Sequence, residues 1–306
     1  MGNNKSTLNT QNEEYQGRKY LNEENSYTPP NNFTEIDLQQ EIYYHFKLIF
    51  DENYSAPVRE YLENGCKVLD LGCGIGIWVC ELATKFPNSN FMGVDMMPVY
   101  PSEIKPVNAE FVKSNILKGL PFKDNEFDYV HTAQMNTYFK NEEWINKVVS
   151  KLNKFIKVIP ELVRVTKPRG WIEFCEADTC LIDAGPNSTR LFNGLSQSLF
   201  NLGINPRCIT LMKKWLQSRS DIMNITESTK LIPLGVWDSA IGKHNFMLYL
   251  NYVKLRKPRI INGLNISEDE CSKLMELTYA EFSSTEYEGK FTVTRIFGQK
   301  FNNQIK

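Results

Sequence analysis

The sequence predicts an α/β fold in which a mainly parallel sheet carries helices on both faces. Three observations predict it. Between Cys66 and Ala177, apolar runs of strand character alternate with stretches of helical spacing, the order that parallel strands require of their crossovers. Within that region, residues 67–76 read Lys-Val-Leu-Asp-Leu-Gly-Cys-Gly-Ile-Gly, a strand followed by a tight glycine turn and a helix start. A second apolar run, Phe91-Met92-Gly93-Val94-Asp95, again closes on an acid.

Residues 1–33 are rich in Asn, Glu, Ser and Lys, contain Pro29-Pro30 and hold few large aliphatic side chains. This composition predicts a disordered tail. Met1-Gly2-Asn3-Asn4-Lys5-Ser6 fits the pattern for N-myristoylation at Gly2, against the alternative of a plain flexible tail. A single acyl chain of this kind gives only weak, reversible membrane attachment.

Thr34 begins a helix, with Asp37 three residues on as a box-like cap. Ile36, Tyr43, Phe46 and Ile49-Phe50 keep near-helical spacing, whereas Tyr44 and His45 fall on other faces. Residues 34–300 form one domain, divided into an N-terminal helical cap (34–60), a core (61–177) and a C-terminal part (178–300). Glu142 to Val165 is a single helical pattern with a break near Pro160. Asn187 to Ser218 is mainly helical, interrupted at Gly203 to Pro206. Ile222 to Val236 alternates as a strand, His244 to Leu255 and Ser267 to Phe282 are helical, and Phe291 to Phe297 alternates as a last strand.

With 306 residues and 42% hydrophobic content, the chain can bury one substantial core. A net charge of −1 argues against a broad nucleic-acid footprint. The basic clusters Lys213-Lys214 and Lys254 to Arg259 read as solvated helix faces. No apolar run approaches the roughly 20 residues of a membrane span. The first residues are polar, unlike a secretory signal. Seven cysteines, with Cys66, Cys73 and Cys80 outside any metal-ligand pairing, predict reduced thiols, no metal site and an intracellular setting. That setting is the cytoplasm, with the nucleus, or the membrane periphery under Gly2 acylation, as alternatives.

The glycine turn specifies the ligand class. A nicotinamide fingerprint is G-x-G-x-x-G, with pyrophosphate at the helix N-terminus. Here Gly72, Gly74 and Gly76 bring the third glycine one residue early, and Asp70 stands where it opposes a pyrophosphate. An acid there suits a ligand with an ammonium group and no phosphate, as in S-adenosyl-L-methionine. Asp95, 19 positions after Gly76, is placed to accept the hydroxyls of a ribose. Met96 and Met97 follow it and can cover an adenine face.

Val68 to Gly76 resembles the first motif of class I S-adenosylmethionine-dependent methyltransferases, and Gly93-Val94-Asp95 resembles their second-strand motif. Asn108 to Ile116 is similar to the third-strand motif, Phe127 to His131 to the fourth strand, and Leu162 to Glu173 to the helix, turn and fifth strand. Gly76-Ile77-Trp78, the prolines Pro98, Pro101 and Pro106, and Gly170-Trp171-Ile172-Glu173 further resemble the fungal LaeA-like and UMTA-like group. Two positions depart from that pattern: Asn115 stands where Asp is frequent, and Lys167-Pro168-Arg169-Gly170 where Lys-Pro-Gly-Gly is usual.

The resemblance implies a Rossmann-like, seven-stranded, mainly parallel sheet, with a helical insertion after the fifth strand and a final antiparallel pair. It implies that the N-terminal helix covers the cofactor pocket. It also implies cofactor binding by Asp70, Gly72, Gly74, Gly76, Asp95, Met96, Asn115 and Ile116, with Asn115 bonding the adenine amine through its carbonyl.

Methyl transfer from a sulfonium is an in-line displacement, so the protein mainly aligns the acceptor and excludes water. A base is needed only where the acceptor loses a proton. His131 and Gln134 after the fourth strand, and Glu173 and Glu176 on the fifth, fall near the sheet's carboxyl edge. His131 and Glu176 are the candidate bases, against structural roles for both. The expected acceptor is a small molecule or a protein side chain. The alternative function is a regulatory protein that keeps the fold and acts through partner binding. A nicotinamide dehydrogenase is disfavoured by the glycine spacing.

Overall fold

The computed structural model describes residues 13–15, 18–20, 33–144 and 157–301. Within the segment expected as a tail, β1 (Glu13–Tyr15) and β2 (Arg18–Tyr20) pair antiparallel; the acylation pattern at Gly2 lies outside the described residues.

The core is one seven-stranded sheet. Its strands are β3 (Lys67–Leu71), β4 (Asn90–Asp95), β5 (Ala109–Lys113), β6 (Phe127–Ala133), β7 (Thr166–Ala177), β8 (Ile222–Pro233) and β9 (Lys290–Lys300). Their spatial order is β5-β4-β3-β6-β7-β9-β8. β3 to β7 run parallel to one another, and β9 alone is reversed, antiparallel to both β7 and β8. The predicted Rossmann-like sheet is therefore present. Val68, Leu69 and Leu71 are buried on both faces of β3, which is why a central parallel strand reads as an unbroken apolar run.

Helices cover both faces: α1 (Phe33–Phe50), α2 (Arg59–Asn64), α3 (Ile77–Lys85), α4 (Asn141–Trp144), α5 (Val158–Val165), α6 (Pro186–Asn201), α7 (Ile209–Gln217), α8 (Ala240–Leu255), α9 (Lys257–Leu264) and α10 (Glu268–Phe282). Trp144, Ile159, Leu162 and Phe174 meet in one core layer. Leu62, Val79, Leu82 and Tyr129 meet in the other. Lys157 is extended and α5 starts at Val158, so Pro160 lies in its first turn, where a missing N–H costs nothing; residues 145–156 of that helical pattern lie outside the described residues.

The helices expected after the fifth strand are present, on both sides of β8. α6 and α7 follow the fifth strand of the sheet, β7, but α8, α9 and α10 separate β8 from β9. The two strands of the final pair are thus far apart in sequence. α9 also replaces part of the cluster read as a solvated basic face. Arg256, 6% exposed, is drawn inside by Glu35 of α1 at 3.0 Å and stacks on Tyr252 at 3.9 Å. α10 starts where its sequence marks it, with Ser267 and Glu270 forming a capping box.

Candidate functional site

The carboxyl ends of β3, β4, β5, β6 and β7 open together into one cavity of about 320 Å³, the edge where open α/β sheets place their ligands. α1 roofs it and α8 forms its far wall.

The glycine turn joins β3 to α3. Gly72, Gly74 and Gly76 have φ of 72°, 51° and 76°, a region that side chains with a Cβ enter only at a cost. A Cβ on Gly74 would lie 2.8 Å from Gln39 Oε1 of α1, so this glycine lets the roof come down on the loop. Gly76 has a different reason. It caps α3, and a Cβ there would lie 2.7 Å from Phe111 Cζ. Its neighbours Ile75 and Ile77 line the cavity, and Gly76 itself does not.

Asp95 ends β4 and organises the loop. Its Oδ2 accepts the Gly74 N–H at 2.9 Å and its Oδ1 accepts the Met97 N–H at 2.8 Å. Burial raises its carboxyl above the usual range, and these amides pull it back down. Met96, Met97, Asn115 and Ile116 stand beside it in the wall. Asn115 Oδ1 accepts the Leu117 N–H at 2.9 Å and caps a 3-10 turn, Ile116–Lys118. An amide oxygen has two lone pairs, so this bond leaves one acceptor position on Asn115.

Asp70 and His131 are neighbours across β3 and β6. His131 Nδ1 lies 2.8 Å from Asp70 Oδ1, with both residues buried. Burial pushes the Asp70 carboxyl up, and the imidazole pulls it down. The His131 ring is stacked on Trp78 at 4.1 Å and 2° between planes. Trp78 in turn donates from Nε1 to the Asn53 carbonyl at 3.0 Å. A ring held on one face by an indole and at one nitrogen by a carboxylate is a positioned wall group.

Glu176 is turned toward the backbone of the loop after β6. Its side chain is not in the cavity wall. Oε1 accepts the Met135 N–H at 2.8 Å and Oε2 the Asn136 N–H at 3.2 Å. Burial pushes its pKa up to about 8 against those two amides. Through those two amides it shapes the loop after β6, the structural role weighed against that of a base. Glu173 is likewise structural. It accepts the Ser55 and Ala56 N–H groups at 2.9 and 2.8 Å and the Tyr129 hydroxyl at 3.0 Å.

The sequence reading missed how the roof is held. Tyr43 donates to Glu81 Oε2 at 2.6 Å, Asn53 donates to Glu81 at 3.1 Å, and Lys47 pairs with the same carboxylate. This cluster pins α1 to α3, while Glu35–Arg256 pins it to the end of α8. It also missed Asn245, Leu248, Tyr249 and Tyr252, one face of α8. The available signal was a polar residue, Asn245, at i, i+3, i+4 and i+7 spacing with that aromatic and apolar face. The cavity's lysine and arginine residues, Lys47, Arg256 and Arg295, are ion-paired with Glu81, Glu35 and Glu173. No cation among the described lining residues is therefore left over for a phosphate. No cluster of metal-ligating side chains occurs among the described residues, and no described helix is long and apolar enough to cross a membrane.

The methyltransferase domain family matches residues 68–170. The chain is 28% identical over 173 residues to methyltransferase str3 of Strobilurus tenacellus, covering 55% of this chain and 57% of that protein. It is 24% identical to the secondary metabolism regulator laeA of Coprinopsis cinerea, covering 72% and 56%, and 24% identical to methyltransferase pytC of Aspergillus terreus, covering 78% and 71%. The match spans little more than half the length of the first two relatives. Five strand-end motifs gather round one cavity, residues 68–170 match the methyltransferase domain family, and the chain is similar to fungal methyltransferases and to a LaeA regulator.

Proposed function

We propose that the protein transfers a methyl group from S-adenosylmethionine to a small-molecule or protein acceptor. One observation carries this reading. The positive-φ glycine turn, Asp70 and Asp95 surround a single cavity whose lining cations are all ion-paired. Such a donor set fits a ligand with an ammonium group, a ribose and no phosphate, and fits a dinucleotide poorly. In this reading Asp70 holds the ammonium, Gly72 and Gly74 let the ligand approach the backbone, and Asp95 holds the ribose. Met96, Asn115 and Ile116 bound the adenine. The bound sulfonium supplies an already activated methyl group. The roof helix α1 and the wall helix α8 exclude water and orient the acceptor.

Incubation with labelled S-adenosylmethionine and a cell extract tests the reading. Label in a small-molecule or a protein fraction supports methyl transfer and identifies the acceptor class. Cofactor binding without any transfer favours a second reading, a regulator acting through partner binding, which the likeness to a secondary metabolism regulator over 72% of the chain supports. The Met1–Ser6 pattern supports acylation of Gly2 in a cytoplasmic protein; an unmodified N-terminus in the mass spectrum of native protein refutes it.

A further inference from the structure

The end of the cavity away from the glycine turn lies between α1 and α8, outside the residues matched by the methyltransferase domain family. Its lining is largely apolar and aromatic, with Phe46, Phe192, Leu248 and Phe291 buried there. Its neutral polar side chains include Asn245 and His45, beside the hydroxyls of Thr179, Tyr249 and Tyr252. Asn245 is 1% exposed and donates Nδ2 to the Pro233 carbonyl at 2.8 Å. That bond fixes the amide, and its Oδ1 has no partner. His45 is 5% exposed, and neither ring nitrogen has a partner.

Leaving a buried acceptor unmatched costs about 1–3 kcal/mol, so such atoms are few in folded proteins. The other neutral side chains with an orphaned buried atom among the described residues, Tyr54, Thr132, Trp144 and Thr278, do not line this cavity. Orphaned atoms concentrated in one apolar chamber mark where a ligand completes the hydrogen bonds. Burial, and the His244 ring with its centroid 6.2 Å away, push the His45 pKa down to about 4. Its ring is therefore neutral near pH 7, with one nitrogen accepting and one donating. The chamber's cations, Arg256 and Arg295, already face Glu35 and Glu173. An anionic ligand would bring a buried charge with no counter-charge left for it.

We propose that this chamber binds the methyl acceptor as an uncharged, flat, mostly apolar small molecule whose hydroxyl or amine hydrogen-bonds Asn245 Oδ1 and His45. The proposal rests on the methyl-transfer reading only in calling the ligand an acceptor; the chamber's selectivity stands on its own geometry.

The test is calorimetric titration of the full chain, with and without saturating S-adenosylhomocysteine, with four probes of one size: 2-naphthol, 2-naphthylamine, naphthalene and 2-naphthoate. The naphthol or the naphthylamine should bind about tenfold more tightly than naphthalene, the effect of one satisfied buried hydrogen bond, and 2-naphthoate should bind more weakly than either. Which of the two binds better tells O–H from N–H acceptors. Asn245→Leu and His45→Phe should each erase most of that preference while leaving naphthalene and S-adenosylhomocysteine affinity unchanged, which also shows that the variants are folded. Equal binding of 2-naphthoate and 2-naphthol overturns the proposal, as does failure of every probe to bind or a preference that survives both substitutions. Absence of S-adenosylhomocysteine binding to the parent protein, with the probe preference intact, strikes the cofactor reading and leaves the chamber's selectivity standing.

Discussion

His131 Nδ1 sits 2.8 Å from Asp70 Oδ1 across two adjacent parallel strands. The acid proposed to hold the cofactor's ammonium is therefore also the group that orients a buried imidazole. Asp70 carries two duties, charge toward the cavity and a hydrogen bond to β6, and they can be separated. Asp70→Asn keeps a polar partner for His131 and removes the charge. We expect at least about tenfold weaker S-adenosylmethionine binding, the loss of one charge-assisted contact, with little change in melting temperature. Calorimetry and a thermal melt on the same preparation check both halves.

Asp95→Ala should do more. The substitution removes the proposed ribose acceptor and also frees the Gly74 and Met97 amides that Asp95 holds at 2.9 and 2.8 Å. Cofactor affinity should fall by at least about tenfold, and stability by about 1–3 kcal/mol for amides left unmet. Denaturant titration beside calorimetry measures the two effects; unchanged affinity would contradict the ribose role.

Much of the site was legible because central parallel strands read as apolar runs and because the acids fall at their ends, as at Asp70 and Asp95. What was not legible depends on pairing across long stretches of chain. Glu176 sits on a predicted strand near the right edge, yet its oxygens belong to amides 40 and 41 residues away. Arg256 looked like a surface charge until Glu35, 221 residues distant, turned it inward. Asn245 and His45 carry no local motif, and only the packing of α1 against α8 brings them to one cavity. Gly76 matched a pattern for one reason and is required for another, the approach of Phe111.

Glu176 gives a pH-dependent prediction. Its folded pKa, about 8, lies above its ordinary value of 4.5. The folded state therefore holds a proton that the unfolded chain releases, and this contribution to stability is fully present below pH 4.5 and lost as pH rises through about 8. Glu176→Gln, uncharged throughout, should flatten the decline in unfolding free energy over that window. Denaturant titrations of both proteins between pH 5 and pH 8 check it. An unaltered slope would show that Glu176 is ionised in the folded protein.

Arg169 holds φ at 66° in the turn where the resembling family usually has glycine. Its side chain is exposed, and the hydrogen bond there uses its backbone carbonyl, which accepts from Gln299 at 2.9 Å. Arg169→Gly should therefore keep the contact and relieve the backbone, raising stability by about 0.5–1 kcal/mol. A thermal melt reads this as a small upward shift.

The most direct measurement is calorimetric titration of the folded protein with S-adenosylmethionine and, separately, with NAD. Micromolar binding of S-adenosylmethionine and none of NAD is the expected result, because the glycine turn and its two acids offer no counter-charge to a pyrophosphate. Binding of NAD, or no binding of S-adenosylmethionine by protein shown to be folded, would contradict the assignment of this cavity.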